Sequence, residues 1–194
     1  MAPLIPMATY CMAMSLTPGP NNMMLATSGA NFGYRCTLPQ ILGINVGGFG
    51  LVIVASLGLG EIFVAWPAAQ QVLRLLGAAY LVMLAWRLFR SRLEDSKLLQ
   101  PQSLLQGALF QFINPKSWTK ALTLASVFMP REVSPFVAGI EMGAIGTVVG
   151  FPCLSAWALF GTSIRGHLRD PFKRRCFNLA MAATLVVLAI DFLR

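Results

Sequence analysis

Apolar residues run along this chain in six stretches separated by short polar connections. The stretches cover residues 4–29, 38–63, 72–89, 104–129, 136–160 and 177–193. Each is long enough for an α-helix to cross the roughly 30 Å of a bilayer's hydrocarbon. Two of them are interrupted. The first carries Thr17-Pro18-Gly19-Pro20-Asn21-Asn22 in mid-run, and the fourth carries Asn114-Pro115-Lys116. The pattern predicts an all-α integral membrane protein with six transmembrane helices, the first and fourth broken near their middles.

The pattern also repeats. Gly43-Ile-Asn-Val-Gly-Gly-Phe-Gly50 matches Gly139-Ile-Glu-Met-Gly-Ala-Ile-Gly146, with glycine or alanine in register. The stretch 75–90 (LLGAAYLVMLAWRLFR) matches 179–194 (LAMAATLVVLAIDFLR), repeating Ala78, Leu81, Leu84, Ala85 and Arg90. The two proline breaks recur at nearly the same spacing. Residues 1–97 and 98–194 thus read as two three-helix repeats of one membrane domain. Three spans is an odd number, so the halves enter the bilayer in opposite directions, as a 3+3 inverted repeat.

Composition agrees with this solvent. Hydrophobic residues make up 56% of the chain and charged residues 11%, against about a quarter charged in soluble domains. The first run lacks a basic leading segment, so a cleaved signal peptide is not expected. Arg35, Arg87, Arg90, Arg92, Lys97, Arg165, Arg169, Lys173, Arg174 and Arg175 follow runs one, three and five, whereas Arg74, Arg131 and Arg194 lie on the other side. Lysine- and arginine-rich short loops stay cytoplasmic, which predicts both termini outside. The net charge of +8 is therefore an orientation signal and not a nucleic-acid patch.

The breaks carry the candidate chemistry. Thr17 can cap, Pro18 and Pro20 lack backbone hydrogens, and Gly19 relaxes the turn. Asn21 and Asn22 then open a second half-helix whose first amides have no intrahelical partner. In the fourth run Asn114 is a good cap, Pro115 suits the first helical position, and Lys116 follows. Asn114 sits about ten residues into its run, roughly 15 Å deep. Two half-helix N-termini at that depth suit a carboxylate. A proline kink held by neighbouring helices is the plainer alternative.

Glu141 lies inside the fifth run and echoes Asn45 in the second. A charged carboxylate at a helix centre costs about 2.5–3.5 kcal/mol on insertion scales, and taking up a proton relieves it. This makes Glu141 the expected proton-coupling residue, with a neutral Glu bonded to a neighbouring helix as the alternative. Lys116 and Lys120 share a helix face. Lys116 is expected to pair with Glu141 or a substrate carboxylate, and Lys120 to have limited reach to the interface.

The recurring glycines have the spacing of close helix contacts, within one chain or across a homodimer. No phosphate loop, HExxH or GxSxG motif is present, and the lone His167 falls in a loop. Cys11, Cys36, Cys153 and Cys176 form no CxxC or metal-ligand spacing, which argues against a thiol carrier and indicates no metal or organic cofactor.

The TPGPNN break, the glycine-rich second span, the NPK break and some 200 residues in six spans resemble the lysine exporter (LysE/RhtB) family of bacterial amino-acid exporters. The resemblance implies a transporter, not an enzyme, that exports amino acids or close derivatives across the inner membrane and is driven by the proton gradient. It matches Thr17 to Asn21 to the first motif and Asn114 to Lys116 to the second. Family members that export basic amino acids tend to have acidic residues where this chain has Asn45, so neutral substrates such as threonine, homoserine, cysteine or O-acetylserine are expected. Thr119 and Lys120 depart from the apolar residues that the family pattern implies there. The substrate-binding set is Thr17, Pro18, Gly19, Pro20, Asn21, Asn22, Asn45, Asn114, Pro115, Lys116 and Glu141. The alternatives are a passive channel for small solutes and export of basic amino acids.

Overall fold

Proline and glycine set the helix boundaries. The computed structural model describes residues 4–59, 67–90, 100–130 and 132–193. They form α1 (Leu4–Leu16), α2 (Pro20–Phe32), α3 (Tyr34–Val54), α4 (Pro67–Arg90), α5 (Leu104–Ile113), α6 (Pro115–Val127), α7 (Pro135–Ile164) and α8 (Pro171–Phe192), with no strand among the described residues. A proline opens α2, α6, α7 and α8, where its missing N–H is no loss. Gly33, at φ 86°, turns α2 directly into α3. A π-helical turn at Ala55–Leu59 extends α3 and contains Gly58, again at φ 86°.

Among the described residues, four helical stretches are long and apolar enough to cross a membrane: Tyr34–Leu59, Ala68–Arg90, Pro135–Ile164 and Pro171–Phe192. The two broken runs instead give pairs of shorter helices, α1 with α2 and α5 with α6. The last helix begins six residues before the apolar run at 177, because Asp170 caps it by accepting from the Phe172 and Lys173 amides. The boundary expected at residues 97 and 98 lies outside the described residues.

Glycine decides which helices approach most closely. A Cβ on Gly43 or Gly47 would stand 2.1 or 2.4 Å from the Leu104 or Ala108 carbonyl oxygen, so α3 lies backbone to backbone on α5. The same holds between α2 and α7, where a Cβ on Gly29 would stand 2.1 Å from Ala158 O and one on Gly161 would stand 2.0 Å from Ala26 O. Gly139 and Gly143 face α3 at Ile53 and Phe49. These small-residue faces are thus occupied within the chain.

The sequence echo at the ends of α4 and α8 is a packing echo too. Ala78, Leu81, Ala85 and Leu88 share one buried cluster with Ala182, Leu185, Ala189 and Phe192. The opposite faces of α4 and α8 carry exposed Leu75, Val82, Phe89, Val187 and Ile190. Such apolar surface suits lipid.

Candidate substrate cavity at the broken helices

The two breaks come together around one cavity, and they are built differently. At the first, Gly19 is the N-cap of α2 in extended backbone and offers no side chain. Thr17 does not cap α2, contrary to expectation. Its hydroxyl donates back to Met14 O at 3.2 Å and closes α1. Pro20 has no N–H, and the Asn21 and Asn22 amides have no partner among the described residues. Just before them, the last carbonyls of α1 are occupied. The Asn22 side-chain amide donates to Ser15 O at 2.9 Å and Thr17 O at 2.8 Å.

Lys116 completes that arrangement from the second break. Its ammonium donates to Thr17 O at 2.6 Å, Thr17 Oγ1 at 2.9 Å and Pro18 O at 3.2 Å. A cation at a helix C-terminus meets about half a negative charge. All three of its protons are engaged, so the expected pairing of Lys116 with Glu141 or a substrate is replaced by a contact between the two breaks. Gly19 makes room for it, since a Cβ there would meet Lys116 Cδ at 2.9 Å and Nζ at 3.0 Å.

The second break satisfies itself. Asn114 is buried and caps α6 by accepting from the Lys116 amide at 3.1 Å. Its carbonyl takes the Ser117 and Trp118 amides. The Phe112 carbonyl accepts from the Trp118 indole at 2.8 Å.

The cavity between the breaks offers about 80 Å³ to the centres of water-sized molecules. One water needs about 10–15 Å³ on that measure, so there is room for several waters or a small zwitterion. Of the expected site residues, Gly19, Asn21, Asn22, Asn45, Asn114 and Lys116 line it. Thr17, Pro18, Pro20 and Pro115 shape the turns and are not among the lining residues. Glu141 is not brought to the cavity. It stands exposed on α7 between Gly139 and Gly143, which face α3. Two residues along a helix is about 200° of rotation, so the packed glycines turn the carboxylate outward.

Other lining residues did not figure in the expected set. Asn21 and Gln111 exchange side-chain hydrogen bonds at 2.9 and 3.2 Å, and Ser117 donates to Gln111 Oε1 at 2.7 Å. Gln111, a polar residue inside an apolar run three positions before Asn114, was the available signal. Lys120 also enters the cavity, one turn beyond Lys116, and its ammonium reaches Ser15 Oγ at 3.3 Å. Asn45 donates to Ile41 O at 2.9 Å, leaving its Oδ1 without a partner among the described residues. Among the described residues no Asp or Glu lines this cavity, and no His/Cys/Asp/Glu group suited to a metal occurs.

The model of the LysE type translocator family matches residues 12–194. The chain belongs to the LysE type translocators. The cysteine/O-acetylserine efflux proteins of Escherichia coli (strain K12) and Shigella flexneri are each 32% identical over 191 residues, covering 94% of this chain and 93% of theirs. No solved structure matches. Membership in the LysE type translocators, with four helices of membrane-crossing length, makes this a multi-pass membrane transporter and gives the cavity at the breaks its interest.

Proposed function

We propose that this translocator exports small neutral amino acids or their derivatives from the bacterial cytoplasm, with cysteine and O-acetylserine as the leading substrates. The observation that carries the reading is the pair of amides at Asn21 and Asn22, unpartnered among the described residues and opening into a cavity whose described lining holds Lys120 and no carboxylate. A substrate carboxylate fits the N-terminus of α2. Its ammonium fits Asn45 Oδ1. The lack of a carboxylate among the described lining residues disfavours a cationic side chain, and the names of the relatives favour the small sulfur or acetoxy side chains.

Alternating access across a 3+3 inverted repeat is the proposed mechanism. The matched buried positions of α4 and α8 support it, as does the recurrence of a broken helix pair in each half. The asymmetry of Lys and Arg along the chain supports termini on the outer side.

Coupling to protons is assigned to Lys120 in place of Glu141. The charged or titratable groups around it are Lys116 on its own helix, Cys11 on α1 and Cys153 on α7. Neutral Lys120 accepts a hydrogen bond from the substrate ammonium, whereas protonated Lys120 repels it. Proton entry from outside therefore expels substrate, and the protonated carrier returns to discharge inside. One proton and one substrate therefore exclude each other, and the two compete for the carrier.

Counterflow of labelled O-acetylserine into loaded proteoliposomes tests the reading. Saturable accumulation is expected, weakening as pH falls, and the Lys120→Met variant should lose that pH dependence. Linear flux without counterflow would support a channel and overturn a carrier.

A further inference from the structure

A second cavity lies one helical turn along α2 from the first and has no part in the mechanism above. It offers about 160 Å³, twice the space of the first. Its walls come from α2, α3, α4, the segment leading into α5, Gln106 of α5 and Leu185 of α8. Gln111 lines the first, while its neighbour Phe110 is buried and packs its ring on Tyr80, which lines the second, at 5.0 Å between centroids.

Two side chains in this wall are polar, more than nine-tenths buried and unpartnered at an acceptor atom. They are Gln40 Oε1 and Thr27 Oγ1, on residues 1% and 8% exposed. Gln40 is held in place, because its Nε2 donates to Gln102 Oε1 at 3.0 Å and Gln102 Nε2 donates to Tyr80 Oη at 3.1 Å. Buried acceptors left open in this way call for a donor. The α4 wall supplies the opposite chemistry. Arg87 brings a guanidinium, and Tyr80, accepting from Gln102, keeps its own proton to donate. Met83 and Leu84 add an apolar surface.

We propose that this cavity is a second amino-acid site, a loading site that takes the zwitterion before it passes Phe110 to the central cavity. The carboxylate binds Arg87 and the Tyr80 hydroxyl, as guanidinium and carboxylate geometry favours. The ammonium donates to Gln40 Oε1 and Thr27 Oγ1. A small side chain lies against Met83 and Leu84. Neither a simple anion nor an acyl chain meets both sets of groups, whereas an α-amino acid carries both charges on one carbon. The cavity lies at the end of the bundle that carries Arg87, Arg90 and Arg174, the last bonded to Asn31 in the same wall, which is the cytoplasmic end by charge placement. The inference rests on the amino-acid exporter reading.

Equilibrium binding of radiolabelled O-acetyl-L-serine to detergent-purified protein tests it, with thermal melting as the check on folding. Wild type should bind two molecules per chain. The double variant Thr27→Val, Arg87→Gln should bind one, with at least a tenfold loss of affinity at the second site, and Arg87→Lys should recover part of that loss. Lys120→Met should weaken the other site and leave this one. A wild-type count of one, unchanged by the double variant, overturns the second site while leaving the exporter reading standing. No binding by folded wild type overturns both.

Discussion

The break between α1 and α2 and the break between α5 and α6 look alike in sequence and do different work. The second closes its own polar ends, with Asn114 capping α6 and Trp118 taking the Phe112 carbonyl. The first depends on another helix. Its carbonyls need Lys116 from across the cavity, and its amides at Asn21 and Asn22 stay open. A break that satisfies itself is scaffold, and one that leaves donors unmet is a place for a ligand. The difference lies in one position: an asparagine side chain caps the one helix, where Gly19 leaves the other uncapped.

The largest effect that would sharpen this comparison is expected from Lys116→Met. It strips charge-assisted partners from Thr17 and Pro18, costing about 1.5–3 kcal/mol, and should lower the melting temperature and cut counterflow by about tenfold or more. An unchanged melt would mean that the first break stands without the second. Asn114→Ala comes next, removing a cap worth about 1 kcal/mol. Stability should fall while substrate affinity in binding assays stays within about twofold, and a large affinity loss would make the second break part of the binding site. Gly19→Ala pushes on the flexible end of Lys116. Transport should drop by roughly threefold to tenfold with little change in melting, since a lysine end shifts more cheaply than backbone. The smallest effect is expected from Glu141→Gln. With that side chain on the exposed face of α7, transport driven by a pH gradient should be unaltered, and its loss would return the coupling role to Glu141.

Much of the site was legible in the residue pattern because breaking a membrane helix takes specific chemistry. Proline removes a donor, asparagine caps, and neither is cheap in an apolar run. That logic located both breaks and drew attention to Asn21, Asn22, Asn45 and Asn114, all of which line the cavity. It failed where direction around a helix matters. Asn45 and Glu141 occupy matching positions between glycines, yet Asn45 is buried beside the cavity and Glu141 is exposed. The glycines could have warned of this, since a packed Gly139 and Gly143 turn residue 141 away from α3. Which neighbour each glycine face meets is not written locally, and α3 has neighbours on both sides, α5 and α7.

The sequence by itself determined the helices, their breaks, the apolar surface and the family, because periodicity, proline chemistry and hydropathy act within a few residues of chain. Only the tertiary structure decided how the charges are used. Lys116 is drawn onto the carbonyls of α1, 98 and 99 residues away, Lys120 is left facing the cavity, and Glu141 is turned out. The physical reason is that a charge in an apolar setting takes its role from whichever partner packing brings within reach, and those partners lie on other helices.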